Sequence, residues 1–319
     1  MNQKTVYVAL QQFCETDTRP RRLLLDAGYE VHENRLGRRL QREEMYDVLR
    51  GADAVLAGVE PYDATLLVSL PRLRCISRCG VGTDNIDLEA ARQRQIAVFR
   101  TEEEVAAPVA ELAVAMMLAL ARNLPLHAHE VRQGAWKKRT GFLLSEWTIG
   151  VVGFGRIGRA VERILRAFGP RLLVADPAVT AAELPEGVGF ASLSQLLAES
   201  DLVSVHADRR REDGSLIGAR ELAMMKPGAF LVNTARGHLV DEQALLAALE
   251  AGRLAGAALD VFETEPYAGP FATLPQVLCT PHVATLTRAS RAAMELRAAQ
   301  QIVEHGSRQP TAVEAGQDR

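Results

Sequence analysis

The chain has 319 residues, about twice the length of a typical domain of roughly 150 residues, so we expect two domains. Hydrophobic residues make up 48% of the sequence and charged residues 24%, which excludes a disordered chain. Because 37 Lys and Arg are balanced by 40 Asp and Glu, the chain offers no long-range attraction to a polyanion, and we expect no nucleic-acid partner.

The hydropathy of the sequence argues against a membrane-spanning protein, and its cysteine pattern argues against a disulfide-bonded or metal-binding one. The longest strictly apolar run covers ten residues, 112–121, whereas about 18 or more are needed to cross a bilayer. We therefore predict a buried helix there and no membrane partner. The four cysteines, Cys14, Cys75, Cys79 and Cys279, form no CxxC pair, which favours a reduced, cytoplasmic protein without a metal site.

The first hundred residues alternate β-rich runs with helical stretches. Strands are predicted at 5–10, 52–57, 74–77 and 96–99, and a helix at 19–27. Asp63 and Asp87 have the side chains expected at helix N-caps. This alternation predicts a parallel sheet covered by helices.

A long helical region over residues 102–133 is apolar nearly all round, so another domain or subunit must cover it, and a dimer is favoured. Six further strands are predicted at 148–152, 171–175, 201–205, 229–233, 255–259 and 277–279. They describe a second, complete doubly wound sheet. Residues 286–306 read as one amphipathic helix, and the last dozen residues as a frayed end.

The glycine pattern at the start of the second series predicts a dinucleotide site. Gly153, Gly155 and Gly158 form GxGxxG between an apolar strand and a helix. The first glycine makes a tight turn, the second admits a pyrophosphate and the third packs the helix on the strand. Asp176 ends the next strand, where an acid binds the ribose 2′-OH. Its charge would repel a 2′-phosphate, so we predict NAD rather than NADP.

Ionisable residues follow three later strands of this half, namely Arg236, Glu265 and His282. Ligands of open α/β sheets bind at the carboxyl ends of strands, so these residues suit hydride transfer between NAD and a carbon bearing oxygen. His282 would exchange the proton, Glu265 would fix its tautomer and favour its protonated form, and Arg236 would hold a carboxylate. Alternatively, Arg236 makes a surface ion pair, Glu265 is a turn residue and His282 is a core histidine.

Two other polar residues, His206 and Thr234, also follow strands. We expect both to line the coenzyme site, His206 without a chemical role.

Five motifs in order resemble the D-isomer-specific 2-hydroxyacid dehydrogenases, over nearly the whole chain. They lie at residues 78–87, 152–158, 233–237, 259–266 and 280–283. The resemblance implies an α/β fold of two doubly wound parallel-sheet domains, with a Rossmann-type coenzyme domain inserted into a flavodoxin-like substrate domain. The implied boundaries are 1–99 plus 287–319 for the substrate domain and 100–286 for the coenzyme domain, which would carry homodimer contacts.

The resemblance also implies roles for single residues. Arg236 would bind substrate, Glu265 would pair with the catalytic histidine, and His282 would be the acid/base. Asp260 would touch the nicotinamide carboxamide. The pyrophosphate would be contacted by Arg156 and Ile157.

The loop at residues 78–83 would face the family's active-site cleft. There Arg78, Gly80, Val81 and Gly82 would bind a small anionic substrate, the glycines allowing backbone amides to cradle it. Arg78 and Arg74 suit a dianionic substrate, or either is a surface charge.

The sequence departs from the family pattern in three places. Residues 101–108 carry three acids near a domain crossing, and a bulkier run follows His282. Residues 58–61 lack the arginine of phosphoglycerate enzymes, which weakens 3-phosphoglycerate as a substrate.

The sequence thus predicts an NAD-dependent oxidoreductase that interconverts a D-2-hydroxy acid and its 2-oxo acid. An NAD(H)-binding corepressor or scaffold of the same fold remains an alternative, as does a dehydrogenase for a different anionic substrate.

Overall fold

The computed structural model describes residues 3–209 and 211–308, and the chain divides into two compact units. One unit comprises Met1–Val105 and Leu286–Arg319, and the other Ala106–Thr285. The first crossing lies after Val105, beyond the position near residue 99 expected from sequence, and the second lies just before Leu286. The expected frayed end lies outside the described residues.

Within the described part of the chain, twelve strands alternate with eleven α-helices. The strands are β1 Lys4–Val8, β2 Tyr29–Glu33, β3 Ala54–Ala57, β4 Cys75–Arg78, β5 Ala97–Arg100, β6 Thr148–Val152, β7 Arg171–Ala175, β8 Val188–Phe190, β9 Leu202–Val205, β10 Ala229–Asn233, β11 Leu254–Leu259 and β12 Val277–Cys279. The helices are α1 Arg19–Asp26, α2 Arg42–Leu49, α3 Ala64–Ser69, α4 Leu88–Gln93, α5 Ala106–Ala121, α6 Leu124–Arg132, α7 Arg156–Leu165, α8 Leu193–Glu199, α9 Ala219–Met224, α10 Glu242–Glu250 and α11 Arg288–Arg308.

The first unit contains a five-stranded parallel sheet in the order β2-β1-β3-β4-β5, which is the flavodoxin-like order. Helices begin where the sequence predicts caps: Asp63 accepts a hydrogen bond from the Leu66 amide at 2.8 Å, and Asp87 accepts one from the Ala90 amide at 2.9 Å. These side chains satisfy amides that have no partner within the helix. Helix α11 packs on α1 and β4 and returns the chain to this unit.

The second unit contains a seven-stranded parallel sheet in the order β12-β11-β10-β9-β6-β7-β8. Read from β8, this is the Rossmann order with one extra strand beyond it. The order reverses between β6 and β9, and the glycine-rich turn leaves the sheet at this switch point. Ligands of such sheets bind at the carboxyl ends of strands near that point.

Two strands are missing from the sequence prediction, and the six-stranded sheet expected for the second unit was therefore wrong by one strand. Both missed strands, β2 and β8, lie at sheet edges. Strand β2 alternates buried with exposed polar residues, and β8 has only three residues, none of them buried. Neither strand has the buried apolar run that marks a central parallel strand.

The stretch Glu103–Ala121 is long and apolar enough to cross a membrane by length and composition, and half of it is buried in the protein. Helix α5 packs on α7, β10 and β11 of its own unit. Its residues Ala113, Met117 and Leu120 join one apolar cluster with Trp147 and Ile149. The described contacts are those of a core helix.

Candidate coenzyme and active site

The glycines of the fingerprint differ in what surrounds them. A Cβ on Gly153 would lie 2.6 Å from the backbone of His206 and Ala207, and one on Gly158 would lie 2.2 Å from the Gly153 carbonyl oxygen. Packing of the chain on itself therefore requires both glycines. A Cβ on Gly155 would meet nothing within 4 Å, so packing does not explain this glycine, and the open space beside it suits a ligand.

The glycine-rich turn leads into the N-terminus of α7, and the carboxylate of Asp176 is hydrogen-bonded to this turn. Gly155 is the N-cap of α7, whose first amides, from Arg156 and Ile157 onward, have no partner within the helix. Asp176 Oδ2 accepts a hydrogen bond from the Phe154 amide at 2.6 Å, and its Oδ1 accepts one from the Ala178 amide at 2.8 Å. The acid after β7 therefore lies at the glycine-rich loop, as the fingerprint requires.

Two buried polar atoms at the same sheet edge lack a hydrogen-bond partner among the described residues: His206 Nδ1 and Thr234 Oγ1. His206 Nε2 lies 2.8 Å from Ser204 Oγ. Burial lowers the pKa of His206 to about 4, so the ring is neutral at neutral pH. Unsatisfied buried polar groups are costly, and these two fit a polar ligand such as a dinucleotide.

An ion pair joins the predicted acid/base residue to its carboxylate. His282 Nδ1 lies 2.9 Å from Glu265 Oε2, and the side chains are 43% and 35% exposed. Burial acts to raise the pKa of Glu265, but the hydrogen bond and charge of His282, with smaller effects from the Phe262 amide and Arg236, lower it below its usual value. The pair therefore holds a carboxylate against the ring and leaves the other ring nitrogen for substrate.

Sequence reasoning missed the residues that place Arg236. Buried Asn233 accepts a hydrogen bond from the Ala235 amide at 3.1 Å and donates one to the Arg236 carbonyl oxygen at 2.9 Å. A Cβ on Gly237 would lie 2.0 Å from the Phe262 carbonyl carbon. Glycine thus lets the turn after β10 approach the loop after β11 closely. The motif Asn-Thr-Ala-Arg-Gly was the available signal.

Asp260 is held by the loop that follows β12, and its contact with the nicotinamide stays a prediction. It is fully buried, and its carboxylate accepts hydrogen bonds from Thr280 Oγ1 at 2.5 Å and from the amides of Val283 and Ala284 at 2.8 and 3.0 Å. Both carboxylate oxygens are thus engaged, and Asp260 fixes the loop that carries His282.

The backbone of His282 adopts an unusual conformation. Its φ is +54°, in a region that few non-glycine residues occupy. The His282 amide donates to the Asp260 and Thr280 carbonyl oxygens at 2.9 and 3.0 Å. The loop around Asp260 therefore imposes the conformation that presents the ring.

In the first unit, the loop after β4 matches only part of the predicted anion cradle. The Gly80 amide already donates to Thr101 Oγ1 at 2.8 Å, and a Cβ on Gly80 would lie 2.1 Å from Arg78 Nη1. Gly80 thus gives room to Arg78 and does not offer its amide. Among the described residues, the amides of Val81 and Gly82 donate no hydrogen bond, so these two are the available donors.

Arg74 does not belong to that cradle. It precedes β4 at the opposite, amino edge of the sheet and donates to the carbonyl oxygens of Pro71 and Leu73 at 2.8 and 3.0 Å. It is therefore a surface charge that caps a turn.

The described residues contain no group of three or more His, Cys, Asp or Glu placed to hold a metal ion.

Comparisons with known proteins agree with this geometry. Residues 114–284 match the family model for the NAD binding domain of D-isomer specific 2-hydroxyacid dehydrogenases. D-3-phosphoglycerate dehydrogenase of Mycobacterium tuberculosis is 37% identical over 86% of this chain, but the chain spans only 53% of that relative. The chain thus spans about half the length of the curated D-3-phosphoglycerate dehydrogenases that it matches.

Two glyoxylate reductases match over most of their own length. That of Thermococcus litoralis is 35% identical over 88% of both chains. The crystal structure of the one from Paecilomyes thermophila superposes with a TM-score of 0.84 at 30% identity, covering 96% of this chain and 97% of that one. This chain belongs to the D-isomer specific 2-hydroxyacid dehydrogenase family, and its inserted unit contains that family's NAD binding domain.

Proposed function

We propose that the protein is an NAD-dependent dehydrogenase that interconverts a D-2-hydroxy acid and its 2-oxo acid. The observation that carries the proposal is the His282–Glu265 pair, 2.9 Å apart, with the charge of Arg236 acting on the same carboxylate. These residues follow β10, β11 and β12 at the edge of the sheet that also bears the glycine-rich turn.

The coenzyme supplies the hydride donor or acceptor when it is bound. The residues that would hold it are Gly153, Gly155, Arg156, Ile157 and Gly158. Asp176 would bind the ribose hydroxyls and, through its charge, disfavour a 2′-phosphate. The buried polar atoms of His206 and Thr234 would gain partners.

His282 gives a proton to the carbonyl oxygen in reduction and takes it back in oxidation. Glu265 orients the ring, because its carboxylate accepts a hydrogen bond from Nδ1 and leaves the other ring nitrogen for the substrate. Asp260 acts through the loop at residues 280–284 and so sets where the ring points. It is a positioning residue.

Each unit by itself offers donors that we propose for anionic substrate groups: Arg236 in the second unit, and backbone amides in the first. Arg236 offers a fork of N–H donors to a carboxylate or carbonyl oxygen. Val81 and Gly82 offer two amides with no other partner among the described residues. Gly80 shapes this loop, and the charge of Arg78 lies beside it.

The test is NADH oxidation with a panel of 2-oxo acids that contains glyoxylate, pyruvate, hydroxypyruvate and 3-phosphohydroxypyruvate. We expect turnover of at least one member, with the D isomer as product wherever the product is chiral. Tight NADH binding without turnover of any member would contradict an enzyme and favour a coenzyme-responsive binding protein. An L product would contradict the stereochemical assignment.

We further propose a homodimer in a reducing, cytoplasmic setting. Five large apolar side chains in one stretch of the second unit are at least 47% exposed, and they are Leu124, Val131, Trp136, Phe142 and Leu143. Such clustering is typical of an interface. All four cysteines are free thiols, which supports the reducing compartment. Sedimentation should give a dimer, and Trp136→Glu should shift it toward monomer; a monomeric parent protein would contradict the proposal.

A further inference from the structure

The two available amides of the first unit lie in a loop flanked by acids. Strand β4 pairs with β3 on one side and β5 on the other, so the loops that follow these three strands leave the same sheet edge side by side. The loop after β3 carries Glu60, and the segment after β5 carries Glu104. Val81 and Gly82 belong to the middle loop.

Glu60 is a buried carboxylate on one flank. The residue is only 2% exposed, and its Oε2 accepts a hydrogen bond from the Gly58 amide at 3.0 Å. Asn85 fixes this loop from the other side by donating to the carbonyl oxygens of Gly58 and Glu60 at 3.2 and 2.6 Å. Water screens a charge held in this way poorly.

The charges of Arg39 and Arg78 act on Glu60. Burial raises the pKa of Glu60, while its backbone hydrogen bonds and these two arginines oppose the rise. Arg78 lies across Gly80, as the 2.1 Å approach to a Cβ there shows. Part of the positive charge of Arg78 is therefore offset by an acid of the same edge.

Glu104 is the acid on the other flank. Its Oε2 is buried and has no hydrogen-bond partner among the described residues, while its carbonyl oxygen is held by Ser290 Oγ at 2.9 Å. Its charge acts on Cys79 at the end of β4. Burial is the main cause of the raised pKa of that thiol, and the charge of Glu104 is one of the smaller effects that raise it. A second negative charge thus lies beside the middle loop.

We infer that Glu60 and Glu104 make this loop a site for one anionic group, so that the enzyme accepts 2-oxo acids with one carboxylate and an uncharged remainder. The inference rests on the proposed function and specifies its substrate class. Two amides and one arginine can hold a carboxylate. A phosphate or second carboxylate would add negative charge to an edge that already carries these two acids, whereas an uncharged remainder would not.

The size of the effect follows from Coulomb's law. At an effective dielectric constant of about 20, the repulsion between two like unit charges about 10 Å apart weakens a binding constant by roughly a factor of ten. Removing the charge of one acid should therefore reduce the preference for a singly charged over a phosphorylated 2-oxo acid about tenfold.

The experiment compares hydroxypyruvate with 3-phosphohydroxypyruvate, which has the same carbon skeleton and one additional phosphate. It includes 2-oxohexanoate as a control with a long, uncharged side chain. We expect the parent protein to prefer hydroxypyruvate over the phosphorylated acid by tenfold or more in kcat/KM. Glu60→Gln, which keeps an acceptor for the Gly58 amide, should narrow that preference about tenfold, mainly through KM. Glu104→Gln should narrow the same preference, and it provides the test if Glu60→Gln does not fold.

Asp53→Asn is the matched control, because it removes a negative charge from the amino edge of the same strand β3. Asp53 accepts a hydrogen bond from the Thr5 amide at 2.8 Å and pairs with Arg72 at 2.7 Å. It should leave the preference unchanged.

Four outcomes decide the inference. Equal use of both acids by the parent protein, or an unchanged preference in both glutamine variants, would overturn it. Poor use of 2-oxohexanoate alongside the phosphorylated acid would assign the preference to size and overturn it as well. No turnover of any 2-oxo acid would overturn the proposed function itself, whereas turnover without discrimination overturns this inference alone.

Discussion

The carboxyl edges of the two sheets use similar residues in opposite ways. In the first unit, Glu60 is buried and accepts from its own loop, and the Gly80 amide is taken by Thr101. In the second unit, His282 and Glu265 remain 43% and 35% exposed although they pair with each other. The groups named in the first unit are satisfied internally, whereas the pair named in the second unit presents reactive groups.

The difference shows that strand-end position alone does not assign a role. Both edges follow the rule that ligands bind beyond the carboxyl ends of parallel strands. Hydrogen bonding then decides which groups remain available, because a group that is satisfied internally gains little from a ligand. Asp260 illustrates this, since it follows β11 yet spends its carboxylate on the neighbouring loop.

Among residues that do not touch the substrate, the largest expected effect tests whether Asp260 is a positioning residue. Asp260→Asn places an amide donor where Asp260 now accepts hydrogen bonds from amides, so the loop that carries His282 should shift. We expect kcat to fall about a hundredfold, as small misplacements of catalytic groups do, with NADH affinity nearly unchanged. Steady-state kinetics and NADH titration check this.

Asp241→Asn is its control, because Asp241 caps α10 through the Ala244 amide at 3.0 Å and asparagine caps equally well. If Asp260→Asn instead weakens NADH binding and leaves kcat intact, Asp260 contacts the coenzyme and the distinction drawn here fails.

A smaller effect is expected at Asp176. Asp176→Asn removes the charge that disfavours a 2′-phosphate and keeps one acceptor oxygen, whereas Asp176 offers one oxygen to each of two loop amides. The preference for NADH over NADPH should fall about tenfold, the factor that corresponds to about 1.4 kcal/mol. Coenzyme titrations give this ratio, and an unchanged ratio would show that the Asp176 charge does not select the coenzyme.

A further expected effect concerns stability at acid pH and not catalysis. The unfolded chain protonates His206 below its ordinary pKa of 6.5, whereas the folded chain does so only near pH 4. Stability is therefore lost as the pH falls through this window, by up to about 3 kcal/mol. His206→Gln should flatten that part of the stability curve in denaturant titrations at pH 7 and 4.5. Equal steepness in both proteins would exclude a buried neutral His206.

Much of this arrangement could be predicted from the sequence, because periodicity and glycine spacing are local. Strands β6, β7, β10 and β12 have the predicted bounds. Strands β2 and β8 escaped detection because neither has a continuous buried apolar run.

Hydrogen bonds between loops distant in sequence could not be predicted. The motif at residues 78–83 shows two glycines, but not that Thr101 occupies the Gly80 amide. Similarly, the motif that contains Asp260 does not reveal that two amides, 23 and 24 residues later in the chain, donate to its carboxylate.

The most direct measurement of the central claim is a pair of experiments on His282→Ala. The claim is that the exposed His282–Glu265 pair moves the proton while other residues bind the coenzyme. We predict NADH binding within about twofold of the parent protein and turnover of the best 2-oxo acid reduced about a thousandfold, within the range for general acid–base catalysis. Near-normal turnover with NADH binding intact would contradict the assignment of His282 as the acid/base.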